Sequence, residues 1–306
     1  MAPSDAAGPA PPPDDIAARF GLAHRFRRAA VLAVSGPDRE SFLQGQLTQD
    51  VRGLRPGDAR PAAGLTPKGK LLYAGWLVAE PERLLLVLPG QEAASILAHL
   101  ARYAAFQQAA VHDLTPERLL LGLYGPGAAA LAAPAETARL PAEREIAGGL
   151  LAPADRRDAL ESALRAAGSV PISRATAEVL RVEAGRPRFG TDADATNLVD
   201  EVGLGDAVSS TKGCYVGQEV VARLRTYGRV SRRLVGFRFP NGGVAPGARF
   251  ADPEKPAHEL ARVTSVVSSP RLGSIGLGMA SRDVPDGHVL ATDGGAAAVV
   301  TPLPFS

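Results

Sequence analysis

Residues 211–223 read TKGCYVGQEVVAR, and the fold is decided from this stretch outward. It holds the only cysteine of the protein, Cys214, between Gly213 and Tyr215. A glycine beside a thiol lets the backbone take an unusual dihedral or lets a ligand come close. Gln218 and Glu219, followed by Val220, Val221 and Leu224, read as a helix start. Cys214 then stands just before a helix N-terminus with Lys212 nearby, and both features favour a thiolate. The bland alternative is a packing cysteine, since free cysteine is among the most buried residue types. Polar Lys212, Gln218 and Glu219 are poor company for a core residue and tilt the reading toward chemistry.

Composition bounds the rest. With 306 residues, 45% hydrophobic and 22% charged, the chain is globular and long enough for about two domains. A single cysteine excludes a disulfide framework, a zinc finger and a self-sufficient four-cysteine cluster site. The net charge of +2 is too mild to predict bulk nucleic-acid binding. No apolar run approaches the roughly 18–20 residues of a membrane span. The five histidines are scattered, so no metal site is expected. Gly203-Leu-Gly205 lacks the third glycine of a dinucleotide fingerprint, and neither GxxxxGK[ST] nor GxSxG occurs. Only four of the 34 basic residues are lysines: Lys68, Lys70, Lys212 and Lys255. Such a bias suggests a GC-rich bacterial genome and makes any one arginine weak testimony.

Residues 1–14 are rich in proline and alanine and read as a disordered leader. They carry neither a secretory pattern nor a basic presequence, which makes the cytoplasm the expected location. A buried strand is expected at 29–34, a helix at 38–49, a hairpin from 71–79 and 83–88, and a helix at 91–103. A short strand begins at 111 and another covers 119–123. The pattern restarts around Gly125 with an alanine-rich helix, a strand near 149–152 and a helix near 155–167. Two α/β units are therefore expected within 15–228. A helix over 175–184 stops at Gly185 and Pro187, and the long polar loop 185–216 reads as functional. Short apolar runs at 234–239, 260–267, 274–280, 288–291 and 297–301 predict a small β domain over 229–306.

Three further stretches carry candidate chemistry. Residues 181–204 hold Asp192, Asp194, Asn197 and Glu201 on a glycine-rich loop. A carboxylate there can accept paired hydrogen bonds from an aminopyrimidine edge, or it is simply a solvated acid. Leu65-Thr-Pro-Lys-Gly-Lys70 is a turn before a hydrophobic strand and holds half of the lysines. Arg223, Arg225, Arg229, Arg232 and Arg233 form a basic patch suited to phosphates or to the glutamate tail of a cofactor, or a solvated face.

Together these stretches resemble the folate-binding superfamily of the glycine-cleavage T-protein, an aminomethyltransferase. Lys212-Gly-Cys-Tyr-Val-Gly-Gln-Glu219 is similar to the K-G-C-[YF]-x-G-Q-E signature of its YgfZ branch, bacterial relatives of mitochondrial iron–sulfur assembly factors. The likeness extends over nearly the whole chain, through Val34-Ser-Gly36, the segment from Phe42 to Asp50, Pro67-Lys-Gly69, Arg181-Val-Glu-Ala-Gly185 and Glu201-Val-Gly-Leu204. It implies an α+β fold: a ring of two ferredoxin-like α/β units and a C-terminal β-barrel around a channel for tetrahydrofolate. T-protein transferases carry an Asp-Asp pair after a Gly-Gly turn. Here the matching strand reads Lys70-Leu-Leu-Tyr-Ala-Gly75, with no carboxylate. The resemblance therefore implies a folate-dependent accessory factor for iron–sulfur enzymes, including those that thiolate tRNA. Cys214, Lys212, Gln218 and Glu219 form its expected reactive group. The expected folate contacts are Glu201, Asp194, Arg223 and Tyr215, with Glu201 against the pterin. The alternatives are a tetrahydrofolate-dependent one-carbon transferase and an RNA-binding module on the arginine patch. The expected partners are folate and iron–sulfur clients, with no membrane and no direct nucleic-acid binding.

Overall fold

The computed structural model describes residues 12–131, 137–142, 148–292 and 294–306. Among these residues there are six α-helices and sixteen strands. The helices are α1 (Pro13–Phe20), α2 (Arg39–Gln46), α3 (Ala93–Ala104), α4 (Arg157–Ala166), α5 (Arg174–Glu183) and α6 (Gln218–Tyr227). The first ten strands are β1 (Ala23–Arg27), β2 (Ala29–Ser35), β3 (Ala59–Leu65), β4 (Leu71–Ala79), β5 (Arg83–Pro89), β6 (Ala110–Asp113), β7 (Arg118–Tyr124), β8 (Ala138–Leu140), β9 (Gly148–Pro153) and β10 (Val170–Pro171). They form two five-stranded sheets, ordered β3-β4-β5-β2-β6 and β10-β1-β7-β9-β8. The remaining strands are β11 (Arg232–Arg238), β12 (Arg249–Asp252), β13 (Lys255–Ser269), β14 (Gly273–Ser281), β15 (Val289–Ala291) and β16 (Ala297–Thr301). These six close into a barrel. The fold is the expected α+β ring of two α/β units and a β-barrel.

The continuous apolar runs of β2 and β5 follow from burial on both faces. Leu32, Val34, Leu84 and Leu86 pack under Phe42 and Leu43 of α2 and Leu100 of α3. The alternate residues Val31, Ala33, Leu85 and Val87 pack against Leu120 and Leu151 of the other sheet. The two sheets are thus joined through a shared apolar layer. Phe237, Phe239 and Phe250 stack inside the barrel.

The chain crosses between the sheets immediately after β1. That strand pairs with β7, whereas β2, starting two residues later, pairs with β5 and β6. The sequence pattern missed β1, because its arginines break the apolar run, and β3, whose Pro61 and Gly64 do not read as strand. The leader expected over 1–14 lies outside the described residues up to 11. Its end is a correction: Pro13 and Asp14 open α1, where proline suits the first helical turn. Asp14 accepts hydrogen bonds from Ser173 N and Thr176 Oγ1, which ties that helix to α5. The alanine-rich helix expected after Gly125 is a short 3₁₀ turn, Pro126–Ala130, and its connector over 132–136 lies outside the described residues. No helix among the described residues is long and apolar enough to cross a membrane.

Candidate functional site

Two separate features have the character of sites. The first is an open cavity of about 1640 Å³ bordered by both sheets, α5, the loop after it and the barrel. Ala74, Gly75 and Trp76 of β4 supply one wall, so the strand that bears acids in T-proteins presents none to the cavity here. Gln91 doubles that wall by pairing its amide with both backbone groups of Ala74. Eight arginines also reach the cavity. Arg25 and Arg27 project from one face of β1, Arg174 opens α5, and Arg186 and Arg188 lie on the following loop. Burial pushes the Arg186 guanidinium down to about 9, and the charge of Arg27 adds to the shift. Of the eight, Arg28, Arg181, Arg188 and Arg233 pair with acids.

One buried ion network holds the cavity wall in place. Arg181 of α5 donates to Glu178 and Asp192, and to Ser265 of the barrel. Asp192 also accepts from Arg188 N, Thr264 and Ser265. Helix, loop and barrel are joined through this one carboxylate. Desolvation raises and the two arginines lower the Glu178 pKa, and the arginines prevail.

The second feature is the Cys214 loop. Lys212 is only 7% exposed, and its Nζ donates to the carbonyls of Gln44, Leu47 and Gln49 at 2.7, 2.6 and 3.0 Å. Gln44 and the C-cap Leu47 belong to the end of α2, where the last turn leaves acceptors without intrahelical partners, and Gln49 follows just beyond it. Burial pushes the ammonium down to about 8. Val216 N donates to Gly45 O, a further bond to the same helix. The Tyr215 ring lies 5.0 Å from Lys212 Nζ, and desolvation raises its hydroxyl pKa. At the other end of the loop, Gly217 caps α6 with φ +83°, and a Cβ there would stand 2.6 Å from Thr66 O. A Cβ on Gly69 would likewise stand 2.9 Å from Val220 Cβ. The 66–70 turn is therefore packed beneath the start of α6. Between the two anchors Cys214 is exposed.

Several expected roles need correction. Lys212 does not serve the thiol: its three donors are spent on α2, which makes it an anchor. Gly213 has neither positive φ nor a close neighbour, and the constrained glycine is Gly217. Glu201 is 3% exposed but does not line the cavity. Its Oε2 accepts from Leu198 N at 2.9 Å and lies 3.5 Å from Arg232, so the carboxylate closes its own loop. Asp194 is exposed and caps a turn through Thr196. Arg223 is exposed on α6, and Tyr215 packs beside Val202 and Val221. None of these four lines the cavity. Glu219 is an exposed acid in the first turn of α6, and Gln218 is half-buried beside it. The arginines that do line the cavity were missed because arginine is so common in this chain. The alternation Arg25-Phe26-Arg27 was the signal that could have placed two of them on one face.

No family model matches the chain. It is 32% identical over 302 residues to an aminomethyltransferase of Rubrobacter xylanophilus, an alignment spanning 90% of this chain and 80% of that one. It is 30% identical over 233 residues to the tRNA-modifying protein YgfZ of Yersinia enterocolitica, covering 67% of each. The glycine cleavage system aminomethyltransferase T of Bartonella henselae has the same fold, with a TM-score of 0.82 and 22% identity over 96% of this chain and 88% of that one. With the K-G-C-Y-x-G-Q-E stretch in place and no acid on β4, the chain belongs to the aminomethyltransferase family as a YgfZ-type member.

Proposed function

We propose that this chain binds tetrahydrofolate in the central cavity and acts as a cytoplasmic accessory factor for iron–sulfur enzymes, including those that thiolate tRNA, through Cys214. In this reading 15–228 is the folate-binding core and 229–306 a barrel domain that completes the ring. The observation that carries it is the separation of the two features. The cavity wall at Ala74–Trp76 has no carboxylate for one-carbon transfer, while the thiol stands exposed on an anchored loop away from the cavity lining. The chemistry of the cavity suits the cofactor: Trp76, Tyr124 and Phe189 are among the lining residues, and the arginines suit the glutamate carboxylates. Glu201, whose carboxylate is held by Leu198 N and Arg232, has no part in this reading as a pterin partner. One thiolate cannot hold a cluster alone, so Cys214 acts as a single ligand to iron in a client's cluster.

The test is Cys214→Ala. The variant is expected to fold and to bind tetrahydrofolate like the wild type, yet to leave iron–sulfur enzymes inactive in cells lacking the native protein. Full complementation would reduce Cys214 to a surface residue. Release of methylenetetrahydrofolate from an aminomethyl donor at about 1 s⁻¹ or faster would favour the transferase reading instead.

A further inference from the structure

The positive charge of this chain is gathered in one stretch. Residues 211–233 hold six basic residues and one acid, whereas the whole chain has a net charge of +2, so the rest of it is net acidic. The fold sets these cations around α6. Arg223 is exposed on the helix, and Arg229 is exposed just beyond its end. Lys68 is exposed on the 66–70 turn, which packs beneath the start of α6. The side chains of these three meet no acid among the described residues. Arg225 is paired with Asp200 at 2.6 Å, and Arg232 stands 3.5 Å from Glu201. Glu219, in the first turn of α6, is the single acid of the stretch. Tyr227, one turn on from Arg223, is 90% exposed. Residues four apart share a helix face, and tyrosine and arginine are the types enriched among the residues that anchor protein interfaces.

We propose that this cationic face docks an acidic protein surface, that of the client whose cluster Cys214 reaches. The proposal rests on the reading of Cys214 above and names what holds the client there. Cys214 is exposed three residues ahead of the Gly217 cap, at the start of the same helix. A helix of ten residues is about 15 Å long, and a standard interface covers about 800 Å² of each partner. One partner therefore covers the thiol and the arginines together. A cluster held by four thiolates is itself anionic, so one field favours both the cluster and the acids around it. An RNA would satisfy the arginines but offer the thiolate no metal to bind.

The field at the thiol is read on the full chain from the rates at which Cys214 reacts with an anionic disulfide, dithiobis-nitrobenzoate, and a neutral one, dithiodipyridine. Their ratio cancels the thiolate fraction, which enters both rates. The anionic-to-neutral ratio should fall about threefold or more as salt is raised. The triple variant Lys68→Glu/Arg223→Glu/Arg229→Glu should lower the ratio at low salt by a similar factor and remove its fall with salt. None of the three residues lines the cavity, so tetrahydrofolate binding should be unchanged, and the melting curve checks the fold. Arg223→Gln/Arg229→Gln takes its place if the triple variant does not fold. In cells lacking the native protein, the charge variant should restore about a tenth or less of the iron–sulfur enzyme activity that the wild type restores. A ratio that ignores salt would overturn the proposal. Wild-type restoration by the charge variant, with Cys214→Ala inactive, would overturn the docking face and leave the role of Cys214 standing. Restoration by Cys214→Ala would overturn both, since the thiol defines the partner. A fluorescent single-stranded RNA that binds the wild type and is lost on charge reversal would assign the face to phosphates and overturn the proposal.

Discussion

The Cys214 loop and the arginine-lined cavity are built in opposite ways. The loop is a short run of sequence fixed at each end: Lys212 on the carbonyls of α2, and Gly217 on the 66–70 turn. The cavity wall gathers side chains from β1, β4, α5 and the barrel, held by one internal ion network around Arg181 and Asp192. A locally encoded site can be mutated without moving the other. A wall assembled from distant segments depends on every joint between them.

The sharpest way to break this contrast is Asp192→Ala. Removing the carboxylate leaves Arg181, 11% exposed, without one of its two anionic partners, and takes an acceptor from Arg188 N, Thr264 and Ser265. Breaking one side of a buried ion pair costs about 3–5 kcal/mol. Urea unfolding should show a loss of that order. Because the 185–191 loop is part of the wall, ligand affinity in the cavity should fall as well. A loss below about 1 kcal/mol would mean that the wall does not depend on this joint.

Lys212→Met tests the loop in the same way. Methionine keeps the length of the stem and removes the three donors. Hydrogen bonds to a charged group contribute about 1.5–3 kcal/mol, and the orphaned carbonyls at the end of α2 can partly turn to water. The expected loss is about 2–4 kcal/mol, with folate binding retained, because no residue from 212 to 219 lines the cavity. A variant with wild-type stability but impaired complementation would return Lys212 to a direct role beside the thiol.

The same contrast explains what could be read from sequence. The loop was legible because its residues are contiguous and one of them is the sole cysteine. The buried strands β2 and β5 were legible because burial on both faces leaves a plain apolar run. The cavity wall was not. Arg25, Arg174 and Arg186 lie far apart in the chain, and each is one arginine among many until β1 is seen to join the sheet of β7. Glu201 was misplaced for a related reason. Its position in the loop was correct, but only the fold shows that Leu198 N and Arg232 already occupy its carboxylate. Lys212 looked like a neighbour of the thiol because adjacency in sequence says nothing about which way a long side chain turns.

The smallest expected effect separates the two glycines of the loop. From sequence, Gly213 was the residue that lets the backbone bend or a ligand approach. The structure gives the strained conformation to Gly217, at φ +83°, where a Cβ would press on Thr66 O. Gly217→Ala combines an unfavourable backbone region with a shift of the 66–70 turn, and should cost about 2 kcal/mol. At Gly213 a Cβ would meet nothing within 4 Å, and the site is exposed. Gly213→Ala should therefore change stability by no more than about 0.5 kcal/mol, as at an ordinary surface position. That near-silence makes it informative about Cys214. If Gly213→Ala folds normally yet fails to complement, the methyl group obstructs whatever approaches the thiol, because nothing within the chain itself is touched. If it complements fully, the approach is made from another side. A loss above about 1 kcal/mol would show that Gly213 is a joint of the loop after all, and that the loop is held at three points.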